Sequence, residues 1–239
     1  MIARRKFSIK LFGDGADIEE MTRISREGVV KGFTTNPLLL RKAGVCDYKT
    51  HALKLLSEIK ELPISFEVFS DEFDTMEREA KEIAGWGKNV YVKIPIMNSR
   101  GESSLPLIRK LSSEGLVINV TAVMTLKQVG EIAAVLSPFV KSIVSIFAGR
   151  IADTGRDPVP IMRRAVAILK INPKAELLWA SPRELLNIFQ AESSGCHIIT
   201  LGADLLRKLP LIGKDLHEFS LDTVRMFYEN AQLVLKGLS

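Results

Sequence analysis

The chain has 239 residues, of which 46% are hydrophobic and 26% are charged, and its net charge is +5. This composition is typical of a soluble globular protein with a large core and excludes an intrinsically disordered chain. The basic residues are scattered among acidic ones, so the charge favours small anionic ligands, and we expect no nucleic-acid partner.

Short β-rich runs alternate with helical patterns, and no linker rich in Pro, Gly or Ser divides the chain. Strands are predicted at residues 6–12, 29–33, 63–69, 89–96, 116–120, 142–147, 175–180 and 197–201. Eight such units close a (βα)8 barrel, which at about 250 residues is one domain. We therefore predict an α/β fold, a (βα)8 TIM barrel, formed by one domain over residues 1–239. A doubly wound sheet is the alternative, although no GxGxxG motif follows a strand.

Helices are predicted between the strands at 71–87, 103–115, 125–137, 158–170 and 181–195. The first of them has Ser70 or Asp71 as its expected N-cap. An additional C-terminal helix is predicted at about 220–237, and its amphipathic pattern is typical of a final barrel helix. The same helix could instead cover a barrel end or dock on a neighbouring subunit. We expect a homo-oligomer.

Two further features concern location and metal binding. No stretch has the roughly 20 consecutive apolar residues that a membrane span needs, and the basic N-terminus leads into too short an apolar run for a signal peptide. We therefore predict a cytoplasmic protein without a membrane partner. Cys46 and Cys196 fit neither a metal-ligand spacing nor a disulfide framework, so no metal site is expected.

Polar residues occur near the ends of the predicted strands. In a (βα)8 barrel the active site forms at the C-terminal ends of the strands, so these residues need an explanation. Taken alone, Asp14 could be a turn or helix-cap aspartate, and the TTNP segment could be a turn. Their joint placement predicts a functional site. The residues concerned are Asp14, Thr34, Thr35, Asn36, Glu67, Lys93, Asn119, Thr121, Ser145, Arg150, Ser181 and Arg183.

Lys93 lies in the run VYVKIPI, which is otherwise typical of a buried parallel strand. A buried lysine is costly unless it is paired or neutral. Burial disfavours the ammonium form, and a free amine can attack a ketone carbonyl. The structural alternative is a lysine that reaches solvent or pairs with a carboxylate such as Glu67. Glu67 could equally be the acid/base that moves protons during Schiff-base formation.

Arg150, Ser181 and Arg183 come from the sixth and seventh units, where barrels often bind phosphate. Guanidinium groups match phosphate oxygens in pairs, and a helix beginning at SPRELL would add backbone donors. Alternatively, Ser181 is an ordinary N-cap followed by Pro182 at the first helical position, and Arg183 is a solvated first-turn residue.

The segments that carry these residues resemble the transaldolase family, including its smaller fructose-6-phosphate aldolase-like members. KGFTTNPLLL is similar to the family's strand-two signature, and VYVKIP to the segment with its Schiff-base lysine. SIFAGRI and WASPR are similar to two later segments of the family. The matches are in order and spread from residue 11 to about 202.

The resemblance implies a mechanism with neither a metal nor an organic cofactor. Lys93 would form the Schiff base with a ketose phosphate, and Asp14 would relay the proton of the hydroxyl at the cleaved bond. Glu67 would be the acid/base, working through a water held by Thr121.

The resemblance also implies a substrate site for small sugar phosphates. Three residues would hold the hydroxyls of the three-carbon unit, namely Thr34, Asn36 and Ser145. Three others, Arg150, Ser181 and Arg183, would clamp the phosphate.

Glu67 and Phe147 occupy positions where fructose-6-phosphate aldolases tend to have Gln and Tyr. This pattern favours transfer of a dihydroxyacetone unit to an aldehyde acceptor over cleavage that releases dihydroxyacetone. A barrel that only binds sugar phosphates is the non-enzymatic alternative. Gly13 and Gly15 depart from the family pattern and would loosen the first loop, and Pro182 replaces a Phe or Ile. These departures leave the acceptor open and allow a specialised sugar pathway.

Overall fold

The computed structural model describes residues 7–236. Its eight strands form a closed barrel in the order β1 to β8, and parallel pairing of β1 with β8 completes it. The predicted fold class, a (βα)8 barrel with an additional C-terminal helix, is confirmed. The strands are β1 Lys10–Asp14, β2 Phe33–Thr34, β3 Ile64–Glu67, β4 Val90–Pro95, β5 Ile118–Val123, β6 Ser142–Ile146, β7 Ala175–Trp179 and β8 Ile198–Gly202.

Helices follow the strands in the order that the barrel requires. They are α1 Ile18–Arg26, α2 Pro37–Lys42, α3 Tyr48–Glu58, α4 Phe73–Ala84, α5 Leu105–Ser113, α6 Leu126–Ala133, α7 Ala148–Asp153, α8 Val159–Leu169, α9 Leu186–Ser193, α10 Ala203–Lys208 and α11 Leu216–Lys236. The sequence analysis identified α4, α5, α6, α8, α9 and α11 and gave no helix for the other five. Three of those five begin with a cap that the sequence displays: Asp17 accepts a hydrogen bond from Glu20 N at 2.7 Å, Asn36 accepts one from Leu39 N at 3.0 Å, and Asp47 accepts one from Thr50 N at 3.0 Å.

The element boundaries differ from the prediction at several ends. β1 starts at Lys10 and continues to Asp14, since it is residues 10–14 that pair with β8. Residue 6 of the predicted first strand and residue 237 of the predicted last helix lie outside the described residues. The expected cap of α4 is wrong, since its N-cap is Glu72. The Asp71 carboxylate instead accepts hydrogen bonds from Ser99, which lies in the loop between β4 and α5.

The alternation of side chains along β4 explains the run VYVKIP. Successive residues of a strand point to opposite faces. Val92 and Ile94 are fully buried between the strand and the surrounding helices, whereas Tyr91 and Lys93 face the inside of the barrel. An apolar residue at every second position therefore anchors the strand to the helical layer and leaves the other face free to carry a lysine.

A cluster of apolar side chains fills the barrel below its C-terminal end. We call it the apolar floor; its members are Phe12, Ile143, Leu178, Ala180 and Ile198, with Tyr91 and Phe147 packed against it. Residues two apart on a strand share a face. Asp14, Ser145 and Thr200 therefore follow three members of the floor, one step nearer the C-terminal ends. The floor separates these polar groups from solvent at the other end of the barrel.

The chain divides into two compact units at Leu206 and Arg207. The first contains the barrel. The second contains a short 3-10 turn at Leu209–Leu211 and helix α11, within which no residue is buried. The single domain over residues 1–239 stays a prediction. Of the helices within residues 7–236, none has the length and apolar content needed to cross a membrane.

Candidate active site

Lys93 and Glu67 form an ion pair inside the barrel. They are register partners on β4 and β3, and Lys93 Nζ lies 3.0 Å from Glu67 Oε2. The same Nζ donates a hydrogen bond to the Thr35 carbonyl oxygen at 2.7 Å. Lys93 is 5% exposed, so the expected burial is confirmed, and the pairing considered as the structural alternative is present. Two acceptors therefore hold the amine in one position at the C-terminal end of the barrel.

Asp14 lies largely shielded from solvent beside this pair and receives a hydrogen bond from β2. Thr34 Oγ1 donates to Asp14 Oδ1 at 2.7 Å. Burial raises the pKa of Asp14, and nearby Glu67 raises it further, while Lys93 and the Thr34 hydrogen bond act in the opposite direction. The helix-cap explanation of Asp14 is wrong, since Asp17 caps α1.

Thr34 also joins β2 to the last strand of the barrel. Its hydroxyl oxygen lies 2.6 Å from Thr200 Oγ1 on β8. The sequence analysis named no site residue on β8, although Thr200 is a polar residue near the end of the run HIITL and could have been found by the criterion applied to the other strands. The structure thus extends the polar layer to a strand that sequence reasoning left out.

Asn119 on β5 forms hydrogen bonds with side chains on β6 and on β3, beyond β4. Its Oδ1 accepts a hydrogen bond from Ser145 Oγ at 2.7 Å, and its Nδ2 donates to Ser65 Oγ at 3.0 Å. Ser145 is one of the predicted site residues. Asn119 was noted at the end of its strand but received no role, because a strand-end position does not reveal which side chains it will meet.

Thr121 lies where β5 departs from regular pairing. The register with β6 shifts between Val120 and Val123, and Ala122 has a φ of 60°, in the left-handed region. Bulges of this kind redirect side chains next to active sites. Thr121 is 2% exposed, and its hydroxyl has no hydrogen-bond partner among the described residues. Buried hydroxyls are usually satisfied, so a water or a ligand group is the expected partner.

Asn36 serves as the N-cap of α2. Its Oδ1 accepts a hydrogen bond from Leu39 N at 3.0 Å, and Pro37 takes the first helical position. The TTNP segment is therefore a strand end followed by a capped helix, and the cap fixes the Asn36 side chain just beyond Thr35.

The β6 and β7 ends meet at Gly149. A Cβ atom there would lie 1.5 Å from the Ser181 carbonyl oxygen, so only glycine allows the two backbones to approach. This contact brings together the three residues predicted to clamp phosphate. Arg150 lies over the Phe147 ring, 5.5 Å from its centroid, and Arg183 forms an ion pair with Asp153 on α7.

The predicted helix start at Ser181 is wrong. α9 begins at Leu186, and Ser181 adopts a φ of 59° in the loop before it. Ser181 is therefore not an N-cap, and the segment SPRELL does not offer the expected helical N-terminus to an anion. Arg183 N donates to Asn187 Oδ1 at 2.7 Å, which holds the loop against the first turn of α9. The left-handed φ of Ser181 accounts for the difference at this residue, since an N-cap has an extended backbone.

The two glycines of the first loop have different surroundings. Gly13 lies inside β1, and a Cβ there would come within 2.8 Å of the Phe33 ring. Gly13 therefore makes room for Phe33 within a regular strand. A Cβ at Gly15 would make only ordinary contacts, the nearest 3.6 Å from Met21, so its missing side chain leaves space in the loop after Asp14.

Within residues 7–236, no group of three or more His, Cys, Asp or Glu side chains could together hold a metal ion. The neutralising partners of the charged groups are other side chains: Lys93 pairs with Glu67, and Arg183 pairs with Asp153. Cys46 is exposed and Cys196 is buried, and both are free thiols.

Comparison with known proteins gives a consistent result. The sequence profile of the family described as "Transaldolase/Fructose-6-phosphate aldolase" matches residues 11–237. A "Probable transaldolase" of Herpetosiphon aurantiacus is 34% identical over 218 residues, covering 90% of this chain and 94% of that protein. A "Probable transaldolase 2" of Listeria monocytogenes is 35% identical over 218 residues, with coverage of 90% and 95%.

A solved structure resembles the chain in fold alone. It is that of a candidate lyase/mutase from Burkholderia cenocepacia, with a TM-score of 0.61 and 12% sequence identity. The match covers 85% of this chain and 80% of the other.

The substitution Asp14→Asn tests the burial of the Asp14 carboxyl group. Because burial raises its pKa above the ordinary 3.8, the folded state holds the proton more tightly than the unfolded state. The stability that depends on this group is full below about pH 3.8 and is lost as the pH rises through the higher folded-state pKa. Asparagine does not titrate, so we expect the unfolding free energy of Asp14→Asn to increase relative to that of the native protein as the pH rises above the ordinary value of 3.8.

Urea denaturation at each pH measures this difference. Asp153→Asn is the matched control, since the hydrogen bond and charge of Arg183 lower the pKa of Asp153. The native protein gains from that group above the unfolded-state pKa, so the control should change with pH in the opposite direction, and weakly because Asp153 is exposed. A difference for Asp14→Asn that stays constant or falls with pH would contradict the expectation.

Proposed function

The chain belongs to the transaldolase/fructose-6-phosphate aldolase family and is a transaldolase-type enzyme. On that premise we propose that it transfers a dihydroxyacetone unit from a ketose phosphate to an aldose or aldose phosphate acceptor, through a Schiff base on Lys93. The observation that carries the proposal is the position of Lys93, buried in the barrel with its amine 3.0 Å from the Glu67 carboxylate.

The first steps join the substrate to Lys93. The amine gives a proton to Glu67 and adds to the ketone carbon of the substrate, forming a carbinolamine. Glu67 returns the proton to the carbinolamine hydroxyl, which leaves as water and yields the protonated imine. The buried Thr121 hydroxyl, which lacks a protein partner among residues 7–236, supports a water at this point that relays the protons.

Asp14 is assigned the role of the base that promotes cleavage of the carbon-carbon bond. Its carboxylate takes the proton of the hydroxyl on the carbon beyond the bond to be broken, that carbon becomes an aldehyde, and the bonding electrons pass to the imine as an enamine. Attack of the enamine on the acceptor aldehyde reverses these steps, and water then releases the product from Lys93. The raised pKa of Asp14 supports this role, because a general base works best with a pKa closer to the working pH.

Substrate binding is assigned to two groups of residues. Thr34, Asn36 and Ser145 would hold the hydroxyls of the three-carbon unit. Arg150, Ser181 and Arg183 would bind the phosphate. The contact of Gly149 with Ser181 supports the second group, since it brings the backbone segments that carry Arg150 and Arg183 together at one side of the barrel opening, where Arg183 pairs with Asp153.

Phe147 supports transfer over release of dihydroxyacetone. Its ring is half-buried against the apolar floor and carries no hydroxyl that could hold a water beside the enamine. An acceptor aldehyde then competes with little water for the enamine.

Self-association is proposed through α11. Large apolar side chains along this helix are exposed, among them Val224 at 60%, Phe227 at 64% and Leu233 at 68%. Exposed apolar surface of this extent is unusual in a monomer, and a second copy of the chain would cover it. A cytoplasmic location and the absence of a nucleic-acid partner stay predictions.

Borohydride reduction tests the Schiff base. With fructose 6-phosphate present, reduction should fix a dihydroxyacetone adduct on Lys93, detected by peptide mass mapping, and Lys93→Ala should abolish both the adduct and turnover. Lys10→Ala is the control, because Lys10 is also a strand lysine paired with a carboxylate, with its Nζ 2.7 Å from Glu176 Oε1, but its side chain is half-exposed at the start of β1. Binding of the sugar phosphate without an adduct in the native protein would favour the non-catalytic barrel.

The acceptor distinguishes transfer from cleavage. With fructose 6-phosphate alone, we expect formation of glyceraldehyde 3-phosphate to stop after about one equivalent per active site. Addition of erythrose 4-phosphate should restore steady turnover if this aldehyde is accepted, and a panel of aldehydes would identify the acceptor. Sustained release of free dihydroxyacetone without any acceptor, at a rate similar to that with one, would instead establish the aldolase activity.

The substitution Phe227→Glu tests the surface on α11. A charge in a buried apolar contact is strongly unfavourable, so the variant should sediment as the 26.5 kDa chain while the native protein sediments as an oligomer. Glu229→Gln, on the same helix, should leave the native oligomer intact. A native protein that is monomeric in sedimentation velocity would refute self-association.

A further inference from the structure

We propose that Thr200 on β8 is a positioning residue for Asp14, acting through Thr34; this rests on the role of Asp14 in the proposed function. The three residues form a continuous chain of contacts across three strands. Thr200 Oγ1 lies 2.6 Å from Thr34 Oγ1, which in turn lies 2.7 Å from Asp14 Oδ1. Neither of these two contacts involves Lys93 or Glu67. The effect of Thr200 on Asp14 would therefore pass through the Thr34 hydroxyl.

The number of protons fixes the direction of this chain when Asp14 is ionised. A carboxylate only accepts hydrogen bonds, and a threonine hydroxyl has a single proton to donate. Thr34 gives that proton to Asp14, so the 2.6 Å contact requires Thr200 to be the donor. Thr200 and Thr34 are 4% and 3% exposed, which leaves little access for a water that could replace either hydroxyl.

The strand register explains why this task falls to Thr200. Asp14 pairs with Thr34 on one side and with Gly202 on the other, and Gly202 has no side chain to offer. Thr200 is the previous residue on the same face of β8, level with Phe12 of the apolar floor. It therefore reaches Thr34 from below, and the Thr34 hydroxyl is held between a donor on β8 and an acceptor on β1.

The hydrogen bonds from Thr200 to Thr34 and from Thr34 to Asp14 stabilise the charged form of Asp14, which other groups disfavour. Burial and the negative charge of Glu67 on β3 raise the pKa of Asp14, whereas Lys93 on β4 and the Thr34 hydroxyl on β2 lower it. A hydroxyl that is itself receiving a hydrogen bond is a stronger donor. Thr34 holds Oδ1, and we assign Oδ2 to the substrate hydroxyl, so the chain fixes both the charge and the direction of the carboxylate.

Two substitutions separate the hydroxyl of Thr200 from its shape. Thr200→Val keeps the volume and removes the donor, and Thr200→Ser keeps the donor. Asp14 must be ionised to accept the substrate proton. Loss of the Thr200 hydrogen bond should therefore move the acidic limb of the pH profile of kcat to higher pH and lower kcat on that limb about threefold. KM and the yield of the Lys93 adduct should stay unchanged, and Thr200→Ser should behave as the native protein.

A second measurement does not depend on turnover. In protein with 13C-labelled aspartate carboxyl groups, the Asp14 signal, assigned by its loss in Asp14→Asn, should titrate at higher pH in Thr200→Val than in the native protein or Thr200→Ser. Thr200→Ala replaces the valine variant if that protein does not fold. Equal titration in all variants would overturn the inference, as would a serine variant that matches valine. Failure of the proposed function would instead appear as a missing Lys93 adduct in the native protein.

Discussion

The buried ion pair between Lys93 and Glu67 is the interaction on which the site depends. Lys93 is buried, and the Glu67 side chain is 16% exposed, so bulk water has little access to the pair. Removing one partner of a buried pair costs about 3–5 kcal/mol in proteins, which is why the two side chains must stay together. The neighbouring carboxylate that offsets the cost of burying the Lys93 ammonium group is also an acid/base beside that amine. The stability of the barrel interior and the proposed Schiff-base chemistry therefore depend on the same two residues of neighbouring strands.

The remaining polar groups of the interior satisfy one another through hydrogen bonds between strands. Asp14, Thr34 and Thr200 form one such chain, and Ser145, Asn119 and Ser65 form another. Thr121, which lies two residues after Asn119 on the same face of β5, differs from them, because its hydroxyl has no protein partner among residues 7–236. The unsatisfied Thr121 hydroxyl is a position where a water or a ligand group would complete the hydrogen bonding.

At the barrel opening the charged side chains are exposed, unlike those of the interior. Arg150 and Arg183 are exposed, so their interactions are screened and individually weak. What is fixed there is the backbone, through the approach of Ser181 to Gly149 that no other residue at position 149 would permit. The interior thus supplies precise placement of reactive groups, and the opening supplies positive charge on a well-defined loop. The proposed ketose phosphate, with a reacting carbonyl at one end and a phosphate at the other, would use both parts.

The sequence by itself determined the eight strands, the barrel, and a list of polar residues at strand ends, because alternation and strand-end position are local properties. It identified Lys93 and Glu67 and the family to which they belong. It did not assign a role to Thr200 or Asn119, and it placed the start of α9 five residues too early. These features were decided only by the tertiary structure. Thr34 and Thr200 are 166 positions apart, and they meet only when β8 closes the barrel beside β1.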